Sequence, residues 1–306
     1  RAVKRINLGL QGGGAHGAFT WGVLDRVLQD DRIEIAAISG TSAGALNGAA
    51  LKAGMIENGR DGARANLDWL WKQVGAISAP GFTDWVAAFG PATPFMAQAL
   101  AYSPAYAAFD AASRMFSPYV FGAVFANPLD RIVEQFHYDA VCDQDGPELH
   151  ICATNVRSGK IRVFAGHEIS ANAILASACL PTLFRAVEFD DPATGKSEAF
   201  WDGGYTGNPA LFPLFARHLP DDILVVNINP LVRDTVPTDP QTIQNRINEI
   251  SFNSSLLREL RAIEFVQRLI ADGKVEQGQM KRVLVHMIAD DMLMNDLNVA
   301  TKTLAT

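Results

Sequence analysis

Seven short apolar runs, most of them rich in β-branched residues and closed by Gly, Asn or Asp, do most to narrow what this chain can fold into. They are RINLGLQ (5–11), IAAISG (35–40), LHICATNV (149–156), KIRVFAG (160–166), EAFWDGG (198–204), DILVVNINP (222–230) and RVLVHMIA (282–289). Runs of this kind read as strands covered on both faces. Between the first two lies GAFTWGVLDRVLQD, in which Phe19, Val23, Leu24, Val27 and Leu28 recur at helical spacing. A second helix is expected after Gly44, through ALNGAALKAG. Strand, helix, strand, helix in that order implies an α/β fold with a mostly parallel, twisted sheet and helices on both faces.

The 306 residues suit one large α/β domain or two small ones. A net charge of −7 without a long Lys/Arg run argues against nucleic acid as a partner and against polybasic docking on anionic membranes. Cys142, Cys152 and Cys179 lack CxxC spacing and read as small buried hydrophobes in a reducing compartment. Nothing from Arg1 onward reads as a signal peptide, and a cytoplasmic setting is expected. No apolar run approaches the ~18–20 residues of a membrane span.

Two stretches differ in composition. Residues 75–127 combine many aromatics and alanines with five prolines and little charge. A helical insertion with its own small core and a mobile apolar cover over a substrate pocket both fit this pattern. Residues 241–270 read as an amphipathic helix with Ile243, Ile247, Ile250, Leu257, Leu260 and Ile263 on or near one face. Packing on the sheet is its expected role, a partner interface the alternative.

The loop LQGGGAHGAF (10–19) places three glycines directly after the first strand. A Walker loop would need a Lys after the glycines, and none follows. Gly12, Gly14 and Gly17 satisfy the dinucleotide fingerprint GxGxxG, but Glu34 begins the second strand where a ribose-binding carboxylate should end it. That strand ends instead in Gly40-Thr41-Ser42-Ala43-Gly44, a GxSxG run before a helix. A serine on so sharp a strand-to-helix turn needs glycines two before and two after, and presents its Oγ at a helix N-terminus. Neighbouring parallel strands end at one edge, so Gly12, Gly13 and Gly14 can lie beside Ser42. The amides of Gly13 and Gly14 then point at the oxygen of a tetrahedral intermediate, and Gly12 is grouped with them in the oxyanion hole.

A serine nucleophile needs a base. His218, in LFARHLPDD, is explained as a helix-end histidine, and His286, in VLVHMIA, as a core histidine. His16 suits a surface or supporting role better than that of base. Asp202, followed by Gly203 and Gly204 at a strand end, can present a carboxylate to Ser42 and take its proton without a histidine relay. Burial beside Phe200 and Trp201 should raise its pKa.

GGGAHG, GTSAG and DGG in that order resemble the patatin-like phospholipases over roughly residues 4–230. The segment ASACLPTLFRAV (176–187), and Asn208 and Pro209 after the DGG, are similar to that family too. The resemblance implies a three-layer α/β/α fold with a Ser–Asp dyad, Ser42 as nucleophile, Asp202 as proton acceptor and Gly12–Gly17 as the oxyanion loop. It implies one acyl hydrolase domain over 1–306, with the insertion at about 75–127 and a helix-and-strand extension at about 231–306. The expected substrate is a lipid or other acyl ester, met in transient contact with a membrane surface through the insertion. A short-chain carboxylesterase and a silent lipid-binding protein of the same fold are the alternatives. With no HExxH or carboxylate cluster in the sequence, no metal or other cofactor is expected.

Overall fold

The computed structural model describes residues 2–77, 117–119, 127–181, 184–276 and 278–289. The apolar insertion expected at 75–127 lies almost wholly outside the described residues. The chain opens with strand β1 (Lys4–Leu10), helix α1 (Gly17–Leu28), β2 (Ile33–Thr41) and α2 (Ala43–Gly75). Backbone angles at Asn58 and Gly59 are non-helical, so α2 is two helices joined at a kink. Short helices α3 (Asp130–Val133) and α4 (Tyr138–Val141) precede β3 (Glu148–Asn155) and β4 (Ile161–Ala165). Then follow α5 (Ala171–Ser177), β5 (Val187–Asp190), β6 (Ser197–Asp202), β7 (Asp222–Asn227), α6 (Pro240–Ala271) and β8 (Leu284–Ala289).

All eight strands join one sheet, in the order β5-β6-β3-β2-β1-β7-β8 with β4 also paired to β3. The five strands β3, β2, β1, β7 and β8 are parallel, while β4 and β6 run antiparallel to β3 and β5 antiparallel to β6. The expected mostly parallel sheet is therefore present, with a mixed edge. Alternation along β7 separates the two faces. Leu224 and Val226 join the core under α1, α2 and α5, and Ile223 and Val225 join the one under α6. A register shift in the β1–β2 pair, where Ile6 faces Ile35 but Asn7 faces Ala37, inserts Ala36 as a bulge. That extra residue lets Ile35 and Ile38, three positions apart, reach the same core.

α6 covers the second face with Phe252, Leu256 and Ile263, all buried. The stripe expected to do this is only partly used. Ile243, Ile247, Ile250 and Leu257 remain 37–55% exposed, because the buried side is shifted around the helix by buried polar residues, Asn253 among them. β8 differs from expectation in a similar way. It lies at the sheet's end, and His286 is not a core residue but has a half-exposed side chain with Nε2 2.8 Å from Asp222 Oδ1. No helix among the described residues is long and apolar enough to cross a membrane.

Near the edge of the sheet where β1 and β2 end, α2 holds the start of α1. Trp71 Nε1 donates to Asn47 Oδ1 at 2.8 Å, and Asn47 Nδ2 donates to the Gly17 carbonyl at 3.0 Å. Both side chains are buried. Trp71→Phe keeps most of the packing but strands the Asn47 oxygen. It is expected to lower the unfolding free energy by about 1–3 kcal/mol in a urea titration.

Candidate active site

Ser42 caps α2 directly after β2 and has φ 54°, ψ −119°. Among the described residues it is the one non-glycine with positive φ. Such a backbone costs about 1–3 kcal/mol and persists only where its surroundings over-determine it. Here the surroundings are visible. The Ser42 N–H donates to Ser177 Oγ at 2.9 Å, and Ser177 Oγ donates to the Cys152 carbonyl at 2.5 Å. Thr41 Oγ1 donates to the Gly207 carbonyl at 2.6 Å, tying the turn to the loop after β6. A Cβ on Gly44 would strike the Leu10 carbonyl oxygen, which is why the turn needs glycine there.

Strand register sets the second member of the site. Thr41 pairs with Cys152 on β3, and the next β3 residue, Ala153, pairs with Asp202 on β6. Because β4 pairs with Ala153 and Thr154 along the other edge of β3, β2 and β6 meet end to end along one edge, and Ser42 and Asp202 arrive in the same row from opposite directions. As the sequence suggested, Asp202 ends a strand level with Ser42; that strand, β6, runs antiparallel to β3, and the chain turns away after it through a 3-10 turn at Gly203–Tyr205.

The Asp202 carboxyl is 1% exposed. Its Oδ1 accepts the Gly204 N–H at 2.7 Å, while its Oδ2 is buried with no bonded partner. Burial pushes its pKa up to about 7, against the opposing pull of the Gly204 amide and the nearby Ser42 hydroxyl. The Ser42 Oγ is close enough to act on that carboxyl, but no formed hydrogen bond joins them in this state.

The glycine loop lies against the serine. A Cβ on Gly12 would come within 2.6 Å of Ser42 Cβ and 2.7 Å of the Thr41 carbonyl oxygen. Gly14 has φ 61°, a left-handed backbone that favours glycine. The three glycines are not equivalent. The Gly12 N–H donates to Asn208 Oδ1 at 2.7 Å, so it is already committed and cannot serve the oxyanion hole as the sequence suggested. The N–H groups of Gly13 and Gly14 have no acceptor among the described residues. Gly17 begins α1, and Gly40 lies in β2 opposite Leu10 and Ile151.

His218 and His286 lie apart from this pair. His218 Nε2 is 2.6 Å from Glu148 Oε1, at the opposite end of β3 from Ala153. His286 sits with Asp222 at the start of β7. His16 is not at the surface. It is 1% exposed, contacts the Ile228 carbonyl at 3.2 Å through Nδ1, and burial lowers its pKa. Cys152 and Cys179 are free and buried, and Cys142 is free and partly buried. A partly buried acid, Glu259 on α6, is also raised to about 7 by burial while accepting the Leu211 N–H at 2.8 Å. Ser177 lies in the ASACLPTLFRAV segment and Gln11 in the glycine loop, but neither was singled out there, and Glu259, Asn229 and Asn253 stand in no recognisable motif.

The fold is an α/β/α sheet with a strained serine at a strand–helix turn. The sequence profile of the patatin-like phospholipases matches residues 8–215, and the chain belongs to that family. Among solved structures, the crystal structure of VipD from Legionella pneumophila matches at 17% identity and a TM-score of 0.36, over 84% of this chain and 55% of that one. The chain thus spans about half the length of that structure. A search of curated proteins finds no match.

The buried carboxyl makes stability depend on pH. Asp202 holds its proton to about 7 when folded but to 3.8 in the open chain. Its stabilising effect is full below the lower value and is lost as pH rises through the upper one. Asp202→Asn removes this titration. Urea unfolding should show the variant gaining stability relative to wild type between about pH 5 and about pH 8.

Proposed function

We propose that the chain is a serine lipid acyl hydrolase of the phospholipase A or lysophospholipase type, working by a Ser42–Asp202 dyad through an acyl-enzyme. The observation that carries the reading is the unpaired, buried Asp202 Oδ2 in the same strand row as Ser42. A carboxylate with one oxygen fixed by Gly204 and the other bare can accept the proton of the Ser42 hydroxyl beside it.

Ser42 Oγ attacks the ester carbonyl carbon as its proton passes to Asp202 Oδ2. The carbonyl oxygen becomes an oxyanion, held by the free amides of Gly13 and Gly14 and favoured by the N-terminus of α2. Collapse breaks the bond to the leaving alcohol, which takes the proton from Asp202 and departs as a lysolipid or glycerol derivative. Water then attacks the acyl-enzyme and gives a proton to Asp202, which returns it to Ser42 Oγ as the fatty acid leaves. A base with pKa near 7 suits both directions of transfer, since it gives up a proton about as readily as it takes one.

Ser42→Ala and Asp202→Asn should each lower kcat by about three orders of magnitude or more. Replacing His218 or His286 should leave turnover within about twofold, each being engaged by a carboxylate away from the pair. Because Asp202 must be ionised to act as base, kcat/KM should rise with pH and level off above a midpoint near 7. The deciding experiment is fatty-acid release from phospholipids, lysophospholipids, glycerides and short-chain esters, read by mass spectrometry for wild type against Ser42→Ala. Serine-dependent release from phospholipid supports the reading. Serine-dependent release from short esters alone replaces it with a carboxylesterase, and failure of a fluorophosphonate to label Ser42 replaces it with a silent lipid-binding protein.

A further inference from the structure

The glycine loop is held by carboxamides from outside it. The Gly12 carbonyl accepts from Asn229 Nδ2 at 2.6 Å and from Asn208 Nδ2 at 3.3 Å, while the Gly12 N–H donates to Asn208 Oδ1 at 2.7 Å. Gln11, one residue earlier, accepts the N–H groups of Ile228 and Asn229 at 2.8 and 2.9 Å and donates to Asn253 Oδ1 at 2.9 Å. α6 holds the far side. The Asn208 N–H donates to Ser255 Oγ at 3.1 Å and Asn208 Nδ2 to the Phe252 carbonyl at 3.1 Å. Asn253 Nδ2 donates to the carbonyls of Asn229 and Pro230, each at 3.2 Å. Gln11, Asn208 and Asn229 are fully buried.

So much buried amide is costly unless it is bonded, and apolar side chains could have packed the loop equally well. What the amides add is direction. A peptide unit is planar and trans, so the Gly12 carbonyl and the Gly13 N–H lie in one plane and point opposite ways. Two donors converging on that carbonyl stop the plane from turning. Asn229 Oδ1 has no partner, so its amide is used here only through its donor end, which is the end on Gly12.

We infer that Asn208 and Asn229 are positioning residues that pin the Gly12 carbonyl and thereby aim the Gly13 N–H at the oxyanion. The inference rests on the acyl-hydrolase reading above. It extends the working apparatus beyond residue 215, where the family match ends, to Asn229 and to the α6 residues Phe252, Asn253 and Ser255. An amide displaced by an ångström stabilises the transition state far less, yet the substrate still binds.

The test uses the full chain, with hydrolysis of p-nitrophenyl butyrate and of phosphatidylcholine vesicles measured per fluorophosphonate-titrated site. Asn229→Ala strands no polar atom on the loop, since Asn208 still reaches the Gly12 carbonyl, and should fold. It is expected to lose about tenfold in kcat, and Asn208→Ala about a hundredfold. KM should stay within about twofold, and the pH midpoint set by Asp202 should not move. A folded Asn229→Ala with wild-type kcat overturns the inference, as does a loss that appears in KM or one that tracks only the fraction of folded protein. Ser42→Ala is run beside them. If it stays active, the serine reading fails; if it is inactive while the asparagine variants keep their kcat, only the positioning inference fails.

Discussion

The left-handed backbone at Ser42 is the constraint around which the rest of the site is arranged. A side chain in that conformation is unfavourable in isolation, and it survives because every neighbour leaves it nowhere else to go. Gly12 and Gly44 supply the clearance, Ser177 takes the serine's N–H, and Thr41 ties the turn to the loop after β6. The strand before it and the helix after it are buried on nearly every side. A turn exposed to solvent could relax; this one is enclosed by the two ends of a packed βα unit.

β3 is the second organising element, because one of its edges pairs first with the parallel β2 and then with the antiparallel β6, while β4 covers the other edge. That switch lets Ser42 and Asp202 meet in one row although one ends a strand leading out of the sheet and the other ends a strand leading in. The carboxyl reaches the serine already dehydrated, with its unused oxygen held inside protein. Burial that raises its proton affinity thus follows from the same register that places it.

Much of this was legible in the chain. The apolar runs mark seven of the eight strands, because a strand covered on both faces must be apolar nearly throughout. β5, with the sequence VEFD, was not found, since four half-exposed residues make too short a run to stand out. The glycine loop, the GxSxG turn and the DGG turn were legible because each needs a particular backbone. The direction of β6 was not, because antiparallel pairing is chosen by the sheet and not by the residues of the strand. The buried face of α6 was misjudged for a related reason. Asn253 and Glu249 are both buried, where periodicity counts polar residues as outward-facing, while Ile247 and Ile250 stay exposed. Carboxamides such as Asn229 leave no pattern at all, since their meaning lies in a loop more than two hundred residues away.

The register of three neighbouring strands also determines what can change without harm. Ser42 is placed by β2 and Asp202 by β6, and both strands take their register from β3. The described residues between the end of α2 and the start of β3 enter none of these pairings, though Ile132, Val133, Phe136 and Val141 among them are buried in the core. Exposed positions of that interval can therefore vary while Ser42 and Asp202 stay where they are, whereas a slip of one residue by β2 or β6 against β3 would part them.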